Sequence, residues 1–356
     1  MKIYPEEWEC ARRFQETQTV PRLTETQLAA VRATGKVYAK WYRAHPYIHN
    51  SISLAVVALL LGGDVLALLW LPSVVMGSDP SLWMWTCGLC VTSAIHGFIF
   101  YSIIIYTMHE GAAHERIIQR TGSITNALSF LVNNLNRLYH ADPIYYRSRH
   151  THHHADFGTP QDGAFTNFVH PRRFWISLLP LAGLLDFNDY RIHTGTQFSA
   201  SKLASFLVGN VYMVMFGVFM VPAYGWTFTL LVLVVLSPWL SFTLDRLRET
   251  TEHNLMALDV ANGARNLGCG FWGLLVGGGP WGQPCHLSHH LIPALPWYQQ
   301  CLLHFQLRRL MTPAQRRYFN IEPIIGFPRL LGYAVATNHR KLKDLHSEKR
   351  STQPVH

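Results

Sequence analysis

The sequence predicts an all-α integral membrane protein, with four transmembrane helices and a helical cap gathered on one side of the bilayer. Three observations lead there. Hydrophobic residues make up 49% of the 356 and charged residues only 14%, against about 25% charged in soluble domains. Four long apolar runs occur, at 51–75, 82–108, 203–221 and 226–244, on the scale needed to cross a hydrocarbon core of about 30 Å at about 1.5 Å per residue. Basic residues gather between the pairs of runs and are missing from the short connections within each pair.

In chain order, residues 1–50 are polar and read as a cytosolic N-terminal segment, whose acidic, aromatic start lacks a signal-peptide layout. Pro46 punctuates the approach to the first run. Residues 51–108 form a first transmembrane hairpin, turning through Gly77, Asp79 and Pro80. Asp64 in its first arm is costly at that depth, so it is either functional or buried and hydrogen-bonded. Residues 109–202 are polar or amphipathic and carry nine lysines and arginines, Arg191 among them. Residues 203–244 form a second hairpin, with room only for a tight turn at Pro222-Ala223-Tyr224-Gly225.

Residues 245–320 are then a cytosolic cap, within which the apolar, glycine-rich stretch 271–280 is too short to span. Helical periodicity is not evident after Pro323, so 321–356 reads as an interfacial or disordered tail, with 324–336 apolar enough to lie on the membrane. The absence of Lys and Arg from both short connections places the N-terminus, the long loop and the C-terminal third in the cytoplasm.

The net charge of +9 is accounted for by those cytoplasmic loops, and no aromatic-interleaved basic run points to nucleic acid. The six cysteines, Cys10, Cys87, Cys90, Cys269, Cys285 and Cys301, are scattered and suggest no disulfide framework. Cys87 and Cys90 sit inside an apolar helix as small buried residues, and Cys285, although beside His286, reads as filler.

The chemistry lies in the histidines, of which there are 20. His150, His153 and His154 form an H-x-x-H-H pattern that recurs as His286, His289 and His290. His109 and His114 form a looser upstream box where the second apolar run ends, and His253 stands alone just past the fourth. Neutral imidazole is the commonest protein ligand for iron, zinc and copper. On a helix, residues three and four apart share a face, so the first histidine of each H-x-x-H-H box can aim with either of the others. The spacing of His109 and His114 puts them about 140° apart on an ideal helix, unless that helix bends or ends.

Glu249 and Glu252, upstream of His253, could bind a metal or orient an imidazole, and Glu110, Glu115, Asp142, Asp156 and Asp162 could orient one. Isolated histidines such as His96, His193, His304 and His356 read as surface or satisfied core residues, as does the off-pattern His152. A zinc-protease reading needs H-E-x-x-H, and His109-Glu110 is followed by one residue too many before His114. Nine imidazoles exceed the needs of one tetrahedral zinc. A pair of irons, each with several imidazoles and an open position, fits the count and could use dioxygen to attack an unactivated C–H bond.

The ordered set of His109-x4-His114, His150-x2-His153-His154, Glu252-His253 and His286-x2-His289-His290, followed by the proline-rich Leu291–Tyr298 stretch, resembles the membrane-bound fatty acid desaturase family. The likeness covers roughly residues 51–300. It implies four transmembrane helices under a cytosolic domain with a non-haem di-iron centre, the nine histidines as its ligands, and dioxygen as co-substrate. It also implies a fatty acyl lipid or free fatty acid as substrate, and electrons from a separate ferredoxin or cytochrome-type protein. Some acyl-CoA desaturases of the family carry Asn four residues before the isolated histidine, where this chain has Glu249. Desaturation is the leading reaction by family frequency. Oxidative decarboxylation of a free fatty acid to a terminal alkene, or hydroxylation, could run on the same framework. A histidine-rich metal transporter is the alternative of another class, and would need ionisable residues along a path through the spans.

Overall fold

The computed structural model of the chain describes residues 5–162, 164–180, 199–321 and 325–351. Arg191, His193, Pro323, Ile324 and His356 lie outside the described residues. Among the described residues the secondary structure is helical, apart from one isolated parallel bridge between Asn266 and Asn320. The chain divides into two compact units, one of Trp41–Ser148 and Leu179–Asp245, the other of Met1–Lys40, Arg149–Leu178 and Arg246–His356.

The first unit is apolar. Its Pro46–Leu69 helix begins on a proline, whose missing N–H would be unpaired at a first turn anyway. The helix stops short of the end of the apolar run, because Pro72 starts a separate short helix, Leu71–Met76. The Leu82–Ile105 helix begins at Ser81, whose Oγ accepts the Met84 N–H at 3.3 Å. These two long helices run antiparallel, with Gly63 facing Ile99, His96 facing Asp64 and Gly88 pressed against Met76.

Among the described residues, three helices are long and apolar enough to cross a membrane, Pro46–Leu69, Leu82–Ala113 and Ala200–Glu252. Both later apolar runs fall within the third. At 53 residues it would extend about 80 Å if straight, far beyond a bilayer core of about 30 Å. It is not straight, for Pro222 lies inside it and Gly225 adopts φ 82°.

Side-chain contacts show what the break does. Before it, Tyr212 Oη donates to Asp64 and Tyr224 Oη to the Leu69 carbonyl, so this arm runs parallel to Pro46–Leu69. After it, Phe228 packs edge-on against Trp85 and Ser237 Oγ donates to the Ser93 carbonyl, so this arm runs parallel to Leu82–Ile105. Since those two helices oppose each other, the chain reverses direction at Gly225.

Asp64 is the polar hub of this unit. It is 1% exposed and accepts hydrogen bonds from His96 Nδ1 at 2.6 Å, Tyr139 Oη at 2.9 Å and Tyr212 Oη. Of the two sequence readings of Asp64, the buried, hydrogen-bonded one describes it. Removing one member of a buried polar network leaves the rest unsatisfied, at a cost of about 3–5 kcal/mol. An Asp64→Ala chain should therefore unfold several degrees below wild type in detergent, with Asp64→Asn in between. A thermal-unfolding scan checks this, and unchanged midpoints would deny the network a stabilising role.

The second unit is built on an apolar core that includes Leu28, Val31, Leu287, Leu303, Leu307 and Phe319. Leu287 belongs to the third histidine box, and its burial in this core turns the neighbouring imidazoles to another face of their short helix, His286–Leu291. The C-terminal tail corrects the sequence expectation. Gly326–Ser351 forms a helix, and Leu342 and Leu345 join Cys10, Ala11, Phe165 and Phe168 in a second buried cluster. Its later core-facing leucines, Leu342 and Leu345, are spaced among lysines, arginines and histidines, which hides their periodicity.

Candidate metal centre

Three elements of the second unit bring histidines together. The second box lies on the last turns of the Pro143–Ala155 helix, whose start is fixed by the Asp142 carboxylate accepting the Ile144 N–H at 3.1 Å. The third box occupies His286–Leu291, and His253 follows directly on the end of the Ser237–Glu252 helix. On each box helix the three-and-four spacing puts the histidines on one face.

The donor atoms of His153, His253, His286 and His290 all lie within 4.8 Å of one another, and all four residues are buried. His286 Nε2 is 2.9 Å from His253 Nε2 and 3.1 Å from His290 Nε2. Beside this group, His154 Nε2 stands 3.0 Å from both His150 Nε2 and His289 Nε2. The His154 and His290 rings, 4.8 Å apart between centroids, join the two sets. Donors about 2.1 Å from an ion and at right angles to each other are about 3 Å apart. The spacings found are those of imidazoles arranged around cations.

The environment favours the ligand form. Burial, followed by the charge of neighbouring histidines, pushes the pKa of His253 and of His290 well down, so both imidazoles are neutral at physiological pH. Phe157 packs on the rings of His153, His253 and His290 at centroid distances of 5.2, 5.3 and 5.2 Å, closing one side of the cluster with hydrocarbon.

The second nitrogens of His153, His253 and His289 have hydrogen-bond partners, which fix tautomer and ring orientation. His153 Nδ1 donates to Asp162 at 2.8 Å, and Asp162 also accepts the Gly158 and Ala164 N–H groups at 3.1 and 2.8 Å. Burial alone would raise the Asp162 carboxyl, but His153 and the two backbone donors outweigh it, so its pKa falls and it stays charged. Gly158 is required there. Its φ is 71°, and a Cβ would meet the Leu258 backbone at 2.8 Å. His253 Nδ1 donates to the Gly263 carbonyl at 2.9 Å, and the Gln300 amide lies 3.4 Å from His289 Nδ1. Neither Gly263 nor Gln300 stands out in the sequence.

The acidic candidates separate. Glu252 is buried, bonded to Arg248 at 2.6 Å and 3.6 Å from His286 Nε2. Glu249 instead faces two guanidinium groups, Arg246 at 3.4 Å and Arg149 at 3.7 Å. Asp156 pairs with the exposed His152, Asp142 accepts from Ser201, and Glu115 bonds Arg147.

In the apolar unit, the first box lies on a π-helical turn, Tyr106–Ala113. Its wider repeat is closed by hydrogen bonds from residue i+5 to residue i, including His114 N–H to His109 carbonyl at 3.3 Å. The turn replaces the divergence expected of an ideal α-helix, and the His109 and His114 rings meet at 4.9 Å. Glu110 accepts from His109 Nδ1 at 3.0 Å and from Arg116 at 2.6 Å, the same carboxylate–imidazole device as Asp162 and His153.

Compared with models of protein families, residues 143–321 match the one described as Fatty acid desaturase, a stretch holding His150, His153, His154, His253, His286, His289 and His290. Comparison with curated proteins and with solved structures gave no match.

Proposed function

The chain belongs to the fatty acid desaturase family, and on that premise we propose that it is a membrane-bound non-haem di-iron oxidase. It takes dioxygen and external electrons and oxidises a fatty acyl chain, with desaturation as the leading reaction. The observation that carries this reading is the pair of adjoining imidazole sets, with Nε2 separations of 2.9–3.1 Å. Two irons held there would supply an oxidant able to break an unactivated C–H bond.

The ligands in this reading are His150, His153, His154, His253, His286, His289 and His290, with His109 and His114 added on the family pattern. Asp162 and Glu110 orient imidazoles and hold compensating negative charge. Phe157 keeps water from one flank. Glu252 acts beside His286 with its charge shared by Arg248, and Glu249 is a partner of arginines. In this reading the three apolar helices cross four times, which the reversal at Gly225 supports, and the loop charges favour a cytoplasmic position for the histidines. The acyl chain would lie among the apolar helices, and electrons would come from a separate ferredoxin or cytochrome-type carrier.

The transporter alternative has less support, because Asp64 bonds His96 and two tyrosines. Mass spectrometry of lipids and headspace gas from expressing cells tests the reaction. New unsaturated acyl chains are expected. Hydroxy acids or volatile alkenes would change the reaction assigned, and metal uptake with no lipid product would overturn the oxidase reading.

A further inference from the structure

Apart from the histidine boxes, three of the six cysteines converge. The sulfur atoms of Cys269, Cys285 and Cys301 all lie within 4.8 Å of one another, and Cys285 Sγ is 3.5 Å from Cys301 Sγ. They come from three separate segments of one unit. Gly268, at φ 81°, donates its N–H to the Pro284 carbonyl at 2.8 Å, which draws Cys269 beside Cys285. Cys285 is the residue at the start of the His286–Leu291 helix. Cys301 lies in the Trp297–Leu310 helix, and His304 follows it by three residues on the same helical face.

His304 is 2% exposed, and its Nδ1 has no hydrogen-bond partner among the described residues. A buried imidazole nitrogen without a partner, one helical turn from Cys301, can supply a fourth donor to the three thiols.

We propose that Cys269, Cys285, Cys301 and His304 form a second metal site, distinct in chemistry from the histidine centre, that binds zinc. Thiolates select soft or borderline ions, and three cysteines with one histidine make a closed tetrahedral zinc set. With Zn–S of about 2.3 Å, sulfurs around a tetrahedral zinc are about 3.8 Å apart, within the range set by the 3.5 and 4.8 Å found here. A disulfide needs its sulfurs at about 2.05 Å, and the common iron–sulfur clusters take four thiolates, one more than this group offers. Cys269 is exposed while Cys285 is buried, so the ion has a way in. Because Cys285 directly precedes His286, the zinc would anchor the start of the helix that carries the third histidine box.

The test uses the full-length chain purified in detergent from cells supplied with both metals. Elemental analysis of wild type should find about one zinc per chain, and X-ray absorption at the zinc edge should show sulfur neighbours. A Cys269→Ser, Cys301→Ser variant should lose that zinc while a Cys87→Ser, Cys90→Ser control keeps it. The His154→Ala chain should also keep it, which separates this site from the proposed iron centre. Iron absent with sulfur-bound zinc present would sink the oxidase reading and leave this one standing. If the double variant cannot be purified, the absorption spectrum of wild type decides alone. Zinc lacking sulfur neighbours, no zinc at all, or a disulfide between any two of the three cysteines would overturn the proposal.

Discussion

A His154→Ala chain is expected to lose turnover by three orders of magnitude or more, equivalent to about 4 kcal/mol in the barrier, while still reaching the membrane. The reason is its position. His154 Nε2 is 3.0 Å from both His150 and His289, and its ring adjoins His290, so no neighbour can take over its donor. Bound iron should fall with activity. His152→Ala is the matched control, since His152 lies two residues away with a side chain 63% exposed and paired only with Asp156 among the described contacts. An acyl-product assay with iron analysis on both variants checks this. Activity near wild type in His154→Ala would remove that residue from the centre.

The second large effect is expected at Asp162, which is not proposed to touch a metal. Replacing it with alanine frees the His153 ring to rotate and leaves the Gly158 and Ala164 N–H groups without their acceptor. Loss of a carboxylate behind a metal-bound imidazole lowers metal affinity or activity by about 10–100-fold. Asp156→Ala, which disturbs only a solvent-exposed pair, should be silent. Iron retention during titration with a chelator measures the difference. Equal retention by the Asp162 and Asp156 variants would show that His153 needs no such support.

What the sequence made legible follows from how local each signal is. Box spacing is a helical property, so the shared faces of His150, His153 and His154, and of His286, His289 and His290, could be read directly. His109 and His114 could not be resolved this way, because their alignment depends on a local change from α to π geometry. The apolar runs were equally plain, and so was the tight turn between the later two, because Pro222 and Gly225 mark the point where the helix breaks.

Long-range partners had no signal at all. The Gly263 carbonyl behind His253 is backbone, which any residue type would supply. The approach of Cys269 to Cys285 depends on one backbone hydrogen bond at Gly268, so cysteines that look scattered in the chain meet in the fold. Of the carboxylates nominated to support imidazoles, Asp162 and Glu110 do so, while Glu115 and Asp142 are engaged elsewhere. Sequence distance alone could not have sorted them.

The central claim is that these imidazoles hold a pair of oxygen-activating irons, and counting metal against turnover tests it most directly. Chains reconstituted with iron alone, with zinc alone or with both should show about two irons per chain in the active preparation. Product should rise in proportion to iron. Full turnover from a preparation containing zinc and no iron would contradict the account.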